Sequence, residues 1–272
     1  MEFTPHPSPN FDERGGAPVD MLVLHYTGMP TAQSALEKLS DPTPGNRVSA
    51  HYLVDEAGAI YQLVAEEKRA WHAGKSYWRG HEDINARSIG IEIANPGDAP
   101  FAAAQMNTVV ALCKDILSRH PIPARNVVGH SDIAPSRKAD PGEHFDWQGL
   151  AAEGIGLMPR AAPVQPQEGL VSWVMRILGL SHPQPVLSEG DSGPRVLAMQ
   201  QKLAAYGYNA PVCQTFGPDT RDAVVAFQRH FRPQRIDGAW DGQCDAMLTD
   251  LLARLPAATM AEPDGRMAAR LR

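Results

Sequence analysis

Cysteine is scarce in this chain, and basic charge is not in excess. Only Cys113, Cys213 and Cys244 stand among 272 residues, in no metal or redox spacing, so no disulfide scaffold is indicated. Cys113 falls in an apolar helical pattern and reads as a buried thiol. Lysine and arginine number 25 against 31 acidic residues, a net charge of −6, which leaves no electrostatic footprint for nucleic acid or an anionic membrane. No apolar run approaches the length of a membrane span. The opening MEFTPHPSPNFDERGG has neither the basic nor the apolar region of a signal peptide. As written, the chain is therefore expected to be soluble and cytoplasmic, with periplasm or envelope open to it if a leader was removed or export needs none.

What is present is an ordinary globular composition, 43% hydrophobic and 21% charged, in a chain long enough for one sizeable domain and a smaller one. Residues 21–25, MLVLH, read as a buried strand, and Thr31 as the N-cap of a helix running to Leu39. Strands over 49–54 and 59–64 flank Asp55-Glu56-Ala57-Gly58, a hairpin signal. Further strands are expected at 88–94 and 126–130, and a helix at 102–119 stopped by Pro121. Strands interleaved with helices predict an α/β fold with a mixed central sheet flanked by helices over residues 1–154. Residues 155–186, punctuated by proline and holding the amphipathic GLVSWVMRILGL, read as a linker carrying a short docked helix. Residues 187–255 repeat a Gly-rich turn followed by an amphipathic helix, which predicts a small three-helix domain; 256–272 reads as a disordered tail.

The chemistry concentrates in the first part. His25 and His130 each close an apolar run, so both can project from one edge of the same sheet, and Asp140 follows a loop restricted by Pro135 and Pro141. Two histidines and a carboxylate are what a catalytic zinc site with an open fourth position requires, although lone histidines are more often structural. In SIGIEIAN the isoleucines alternate onto one face and leave Gly90 and Glu92 on the other. Glu92 is then either on a solvated face or a carboxylate looking into the metal cleft, where it would act as general base. Lys138 is either a surface lysine or, if 138–140 is extended, a cation beside Asp140 that stabilises a developing oxyanion. RAWHAGKSYWRG suits a substrate wall, with Trp71, Tyr77 and Trp78 as flat faces and His72 as a hydrogen-bonding group, or else a packed loop. Asn85 and Arg87 are candidates to read amide or carboxylate groups of a substrate.

The ordered set LVLHYTG, VSAHYLVDEAG, RAWHAG, NARSIGIEIAN and GHSDIAPSRKADPG, from about Pro7 to Leu150, resembles the zinc-dependent N-acetylmuramoyl-L-alanine amidases of type 2 (AmpD/AmiD-like). That group is related in fold to peptidoglycan-recognition proteins. The resemblance implies one Zn²⁺ on His25, His130 and Asp140, with Glu92 and Lys138 as catalytic partners and His51 near the site but outside the ligand set. It implies hydrolysis of the amide between N-acetylmuramic or 1,6-anhydro-N-acetylmuramic acid and L-alanine, with peptidoglycan or muropeptide fragments as partners. LSEGDSGPRVLAMQQKL, FGPDTRDAVVAFQ and IDGAWDG resemble the type 1 peptidoglycan-binding domain. The rival readings are a non-catalytic peptidoglycan-recognition protein, which would be expected to lack a ligand or the base, and a zinc peptidase cutting within the stem peptide.

Overall fold

The apolar runs around Leu24 and Ile91 become neighbouring parallel strands at the centre of a sheet. The structure, a computed structural model, describes residues 1–160 and 186–256. The segment GLVSWVMRILGL and the tail after Pro256 lie outside the described residues. The chain divides into two compact units, Met1–Leu157 and Met158–Arg272.

The strands of the first unit are β1 (Thr4–Pro5), β2 (Phe11–Glu13), β3 (Met21–Tyr26), β4 (Tyr52–Val54), β5 (Ile60–Gln62), β6 (Lys68–Ala70), β7 (Ser88–Ile93) and β8 (Val127–Gly129). Its helices are α1 (Ala32–Ser40), α2 (Ile84–Arg87), α3 (Ala103–Arg119), α4 (His130–Ile133) and α5 (Trp147–Ala152). Six strands form one mixed sheet in the order β1-β5-β4-β7-β3-β8, and β2 pairs with β6 in a separate antiparallel ribbon. Within the six-stranded sheet β3, β7, β4 and β8 run parallel where they meet, β1 is parallel to β5, and the β4–β5 hairpin is antiparallel. Strands buried on both faces need apolar side chains throughout, which is why MLVL reads as a continuous run, whereas in SIGIEI the isoleucines take one face and Ser88, Gly90 and Glu92 the other.

The local signals act as their chemistry requires. Thr31 caps α1 by accepting from the Ser34 N–H at 3.2 Å. The hairpin turn closes on Asp55 Oδ1, which accepts from the Ala57 and Ala59 N–H groups at 3.0 and 2.7 Å. On one face of the sheet, Ala35, Leu36 and Leu39 of α1 pack with Leu53, Leu63 and Ala94. Leu53 is in register with Glu92, so α1 stands on the same sheet face as that carboxyl. α3 docks through Gln105, whose Nε2 donates to the Val54 and Ala94 carbonyls at 3.2 and 2.9 Å.

Two groups not apparent from the sequence knit the frame. Arg14 is buried and donates to the carbonyls of Glu66, Asn85, Ala86 and Ser88, tying the N-terminal segment to the chain that leads into β7. Glu66 accepts from Tyr52 Oη at 2.8 Å, Arg119 Nη2 at 2.7 Å and His120 Nε2 at 2.7 Å. Burial alone would raise the Glu66 carboxyl, but these donors bring it down to about 2. A depressed folded-state pKa gives stability that is present above the unfolded value and is lost as pH falls through the folded one. Glu66→Gln is therefore expected to cost about 2 kcal/mol at neutral pH in urea melts. That difference should shrink between about pH 4.5 and 2; a gap independent of pH would contradict this account.

In the second unit the helices are Pro194–Tyr206, Pro218–Phe231 and Gly242–Ala253. The first two begin with Gly-Pro, proline occupying the first turn where its missing N–H costs nothing, and the third is capped by Asp241. Val196, Met199, Leu203, Val224 and Phe227 are buried along their shared faces. Gln200 and Gln228 play matching parts: each accepts two backbone N–H groups and donates to a carbonyl of the loop beneath it, at 213–215 and 237–239 respectively. Cys113 and Cys244 are buried, and burial pushes the Cys113 thiol up to about 12.

Candidate metal and catalytic site

β3 and β8 are paired with Leu24 opposite Gly129, so the next residues, His25 and His130, emerge side by side. His130 does not extend the strand, as its apolar run suggests, but opens α4, where the turn of the chain swings its ring toward β3. Asp140 returns to the same point because its carbonyl accepts the Ser131 N–H at 2.9 Å. Close packing fixes this crossing: a Cβ on Gly129 would meet Pro141 Cδ at 2.7 Å.

The three side chains converge on one point. His25 Nδ1 lies 3.0 Å from His130 Nδ1 and 2.9 Å from Asp140 Oδ2, and His130 Nδ1 lies 3.1 Å from the same oxygen. All three residues are buried, with exposures of 1%, 3% and 5%. Among the described residues these three donors form the cluster that could hold a metal ion. Their spacing is slightly tighter than the edge of about 3.3 Å set by tetrahedral bonds of 2.0–2.1 Å. The far nitrogen of His130 faces the Ala73 carbonyl at 3.1 Å, to which it can only donate, so its Nδ1 carries the lone pair. A bare imidazole nitrogen and a carboxylate oxygen aimed at one buried point repel unless a cation or proton sits between them, and His₂Asp is a donor set that zinc accepts. Burial and the neighbouring His130 lower His25 to about 4, the neutral form a metal ligand needs. Burial alone would raise Asp140, but its hydrogen bonds to His130 and His25 hold it well below the usual carboxylate range.

Glu92 is in register with His25 on the adjacent strand, one residue pair across the sheet. Burial and the nearby Asp140 raise its carboxyl well above the usual range, and the Lys138 charge opposes them. Its Oε2 is buried without a hydrogen-bond partner. A cavity of about 560 Å³ opens in front of these groups, lined by Tyr26, Met29, Val48, Trp71, Glu92, Lys138 and Asp140 among others. Lys138 is exposed to this cavity, and Arg137 beside it is held by the carbonyls of Ala73 and Lys75. A carboxyl and an ammonium thus flank the three converging donors, the pair of groups that acid–base chemistry on a polarised carbonyl would use.

The RAWHAGKSYWRG loop divides between the two expectations for it. Trp71 lines the cavity, with the Arg47 guanidinium 5.6 Å above its ring. Trp78 does not: it is 1% exposed, with Nε1 donating to Asn126 Oδ1 at 3.3 Å, and so belongs to the core rather than to a substrate wall. Tyr77 is likewise outside the cavity lining. His72 touches the cavity but is buried, its Nδ1 3.0 Å from His25 Nε2 and its Nε2 3.1 Å from Ser88 Oγ. Asn85 and Arg87 are not brought to the cavity. Asn85 Oδ1 accepts the N–H groups of His72 and Ala73 at 3.0 and 2.8 Å, and Arg87 is engaged by Asp20. Their polar groups hold the loop and the entry to β7. His51, fully buried, accepts the Gly90 N–H on Nδ1 at 3.0 Å and bridges β4 to β7 behind the site. Gly90 is the functional position that the sequence underplays: a Cβ there would meet the His72 ring at 2.5 Å. A glycine inside an otherwise good strand is the available signal for such a close approach.

Two family models match the chain, one described as N-acetylmuramoyl-L-alanine amidase over residues 15–143 and one as putative peptidoglycan binding domain over residues 192–248. The N-acetylmuramoyl-L-alanine amidase AmiD of Escherichia coli is 37% identical over 252 residues, which cover 87% of this chain and 83% of the relative. The 1,6-anhydro-N-acetylmuramyl-L-alanine amidase AmpD of Haemophilus influenzae is 37% identical over 158 residues, covering 52% of this chain and 86% of the relative. Among solved structures, AmiD from E. coli in complex with the substrate anhydro-N-acetylmuramic acid-L-Ala-D-gamma-Glu-L-Lys covers 88% of this chain and 91% of its own, with 37% identity and a TM-score of 0.69. AmpDh3 from Pseudomonas aeruginosa in complex with anhydromuramic pentapeptide covers 92% and 96%, with 32% identity and a TM-score of 0.72.

Proposed function

The chain belongs to the N-acetylmuramoyl-L-alanine amidase family, and from that premise we propose that His25, His130 and Asp140 hold one Zn²⁺ at its catalytic centre. The enzyme hydrolyses the amide that joins the lactyl group of N-acetylmuramic acid, or of its 1,6-anhydro form, to L-alanine of the stem peptide. The observation that carries the site reading is the pairing of His25 with Glu92 at one register, which sets a carboxyl beside three converging donor atoms.

Zn²⁺, when bound, supplies a Lewis acid and lowers the pKa of a coordinated water toward about 7. Glu92 takes the proton of the attacking water. Its buried, unpartnered oxygen makes the neutral form cheap to hold, so the proton can stay there until the C–N bond breaks and then pass to the alanine nitrogen. Lys138 turns its ammonium to the carbonyl oxygen as negative charge develops on it. Water oxygen becomes part of the lactyl carboxylate, and the stem peptide leaves with a free amino terminus. Trp71 offers the cavity a flat wall for sugar or peptide.

On this proposal the chain has a catalytic domain at 1–154, a linker at 155–186 and a wall-binding domain at 187–255. Peptidoglycan or its fragments are the partners of both domains. Among the described residues no helix is long and apolar enough to cross a membrane. Mass analysis after digestion of muropeptides by the full chain tests the bond assignment. The expected products are sugar freed of peptide and a stem peptide of unchanged length; a shortened peptide would mean cleavage within the stem. Running soluble anhydro-muropeptides beside intact sacculi shows which form the second domain serves.

A further inference from the structure

Behind His25 runs a line of hydrogen bonds that ends on a group with only one possible role. Ser88 Oγ lies 2.7 Å from the Ile84 carbonyl, an acceptor, so the serine hydroxyl must donate to it. The remaining Ser88 lone pairs face His72 Nε2 at 3.1 Å, which therefore carries the proton. His72 Nδ1 is then bare and accepts from His25 Nε2 at 3.0 Å. A neutral His25 protonated on Nε2 presents a bare Nδ1, the atom that faces His130 and Asp140. His72 can lie where it does because Gly90 beneath it has no side chain, and a Cβ there would come within 2.5–2.6 Å of three ring atoms.

We propose that His72 is a positioning residue, which, with its direction of donation set by Ser88 and the Ile84 carbonyl, locks His25 in the tautomer and orientation that deliver Nδ1 to the metal. This rests on the reading of His25 as a zinc ligand. Unlike the usual carboxylate or backbone carbonyl behind a ligating histidine, the acceptor is a second imidazole, itself oriented by a hydroxyl. Its fixed direction supplies one tautomer where an isolated imidazole would populate two.

The test uses the full-length protein and zinc alone, with affinity measured by competition against a chromophoric chelator. His72→Leu removes the acceptor and is expected to weaken zinc binding about 10–100-fold. His72→Asn, whose side-chain oxygen can take the place of Nδ1, should recover most of that loss. Gly90→Ala leaves the imidazole in the chain but pushes it off its seat, and should weaken zinc as His72→Leu does. Thermal unfolding in chelator reports whether each variant is folded. In zinc-loaded wild-type protein, the His25 Nε2 proton should resist exchange and show ¹H–¹⁵N coupling across the bond to His72 Nδ1. That measurement decides the matter even if the variants fail to fold, and absence of the coupling overturns the proposal. A folded His72→Leu protein with wild-type zinc affinity also overturns it. A wild-type protein that takes up no zinc would instead overturn the metal reading on which it rests.

Discussion

Glu92→Gln is expected to lower kcat about 10²–10⁴-fold, the range for loss of a general acid–base group, while zinc content stays at one per chain. The amide is isosteric and keeps the strand pairing with His25 and Leu53, so a fall in rate cannot be assigned to a displaced strand. It also removes the cost of a carboxyl whose Oε2 is buried without a hydrogen-bond partner, close to Asp140. The melting temperature should accordingly stay level or rise, the pattern of a residue kept for chemistry at the expense of stability. Single-turnover kinetics on an anhydro-muropeptide, metal analysis and calorimetry on one preparation check all three parts. Wild-type turnover in the glutamine variant would remove Glu92 from the reaction.

Asp140→Ala should be the most damaging change at the metal site. Its Oδ2 lies within 3.1 Å of both imidazoles, so the substitution takes away one of the three proposed ligands and the negative charge that would offset the cation. Two neutral histidines do not retain a divalent ion against a chelator as three ligands with a carboxylate do. Stoichiometric zinc should be lost and activity should fall at least about 10³-fold, the several kcal/mol a Lewis acid contributes to the barrier. The backbone at this point is tied independently, through the Ser131 N–H to the Asp140 carbonyl, so the fold of the loop should survive the change. Retained stoichiometric zinc in the alanine variant would take Asp140 out of the ligand set.

The central strands were legible by two signals: MLVL is a short continuous apolar run, as a strand covered on both sides needs, and Ile89, Ile91 and Ile93 alternate along β7. Thr31, the Asp55 turn and the helix over Ala103–Arg119 announce themselves by short-range chemistry. β1, β2 and β6 do not: they are two or three residues long, and FDE and KRA become strands only through each other. Residue type pointed to His25, His130 and Asp140, and the structure brings them together. Type alone could not separate Trp71 from Trp78, or say that Asn85 and Arg87 spend their polar groups on their own chain. Arg14 was invisible because all the carbonyls it holds belong to the backbone, which leaves no trace in residue identity.

The positions of the three donor residues along the chain have a consequence for how the first unit holds together. His130 and Asp140 are 10 residues apart, but His25 is 105 residues from His130. An ion held by all three is thus a removable cross-link that closes most of the unit into a single ring of chain, attached where β3 meets β8. Such a clasp binds the folded chain and is released on unfolding, and at a free-metal concentration a hundred times its Kd it adds about 2.7 kcal/mol to stability. Metal supply would then act on the stability of this protein as well as on its turnover.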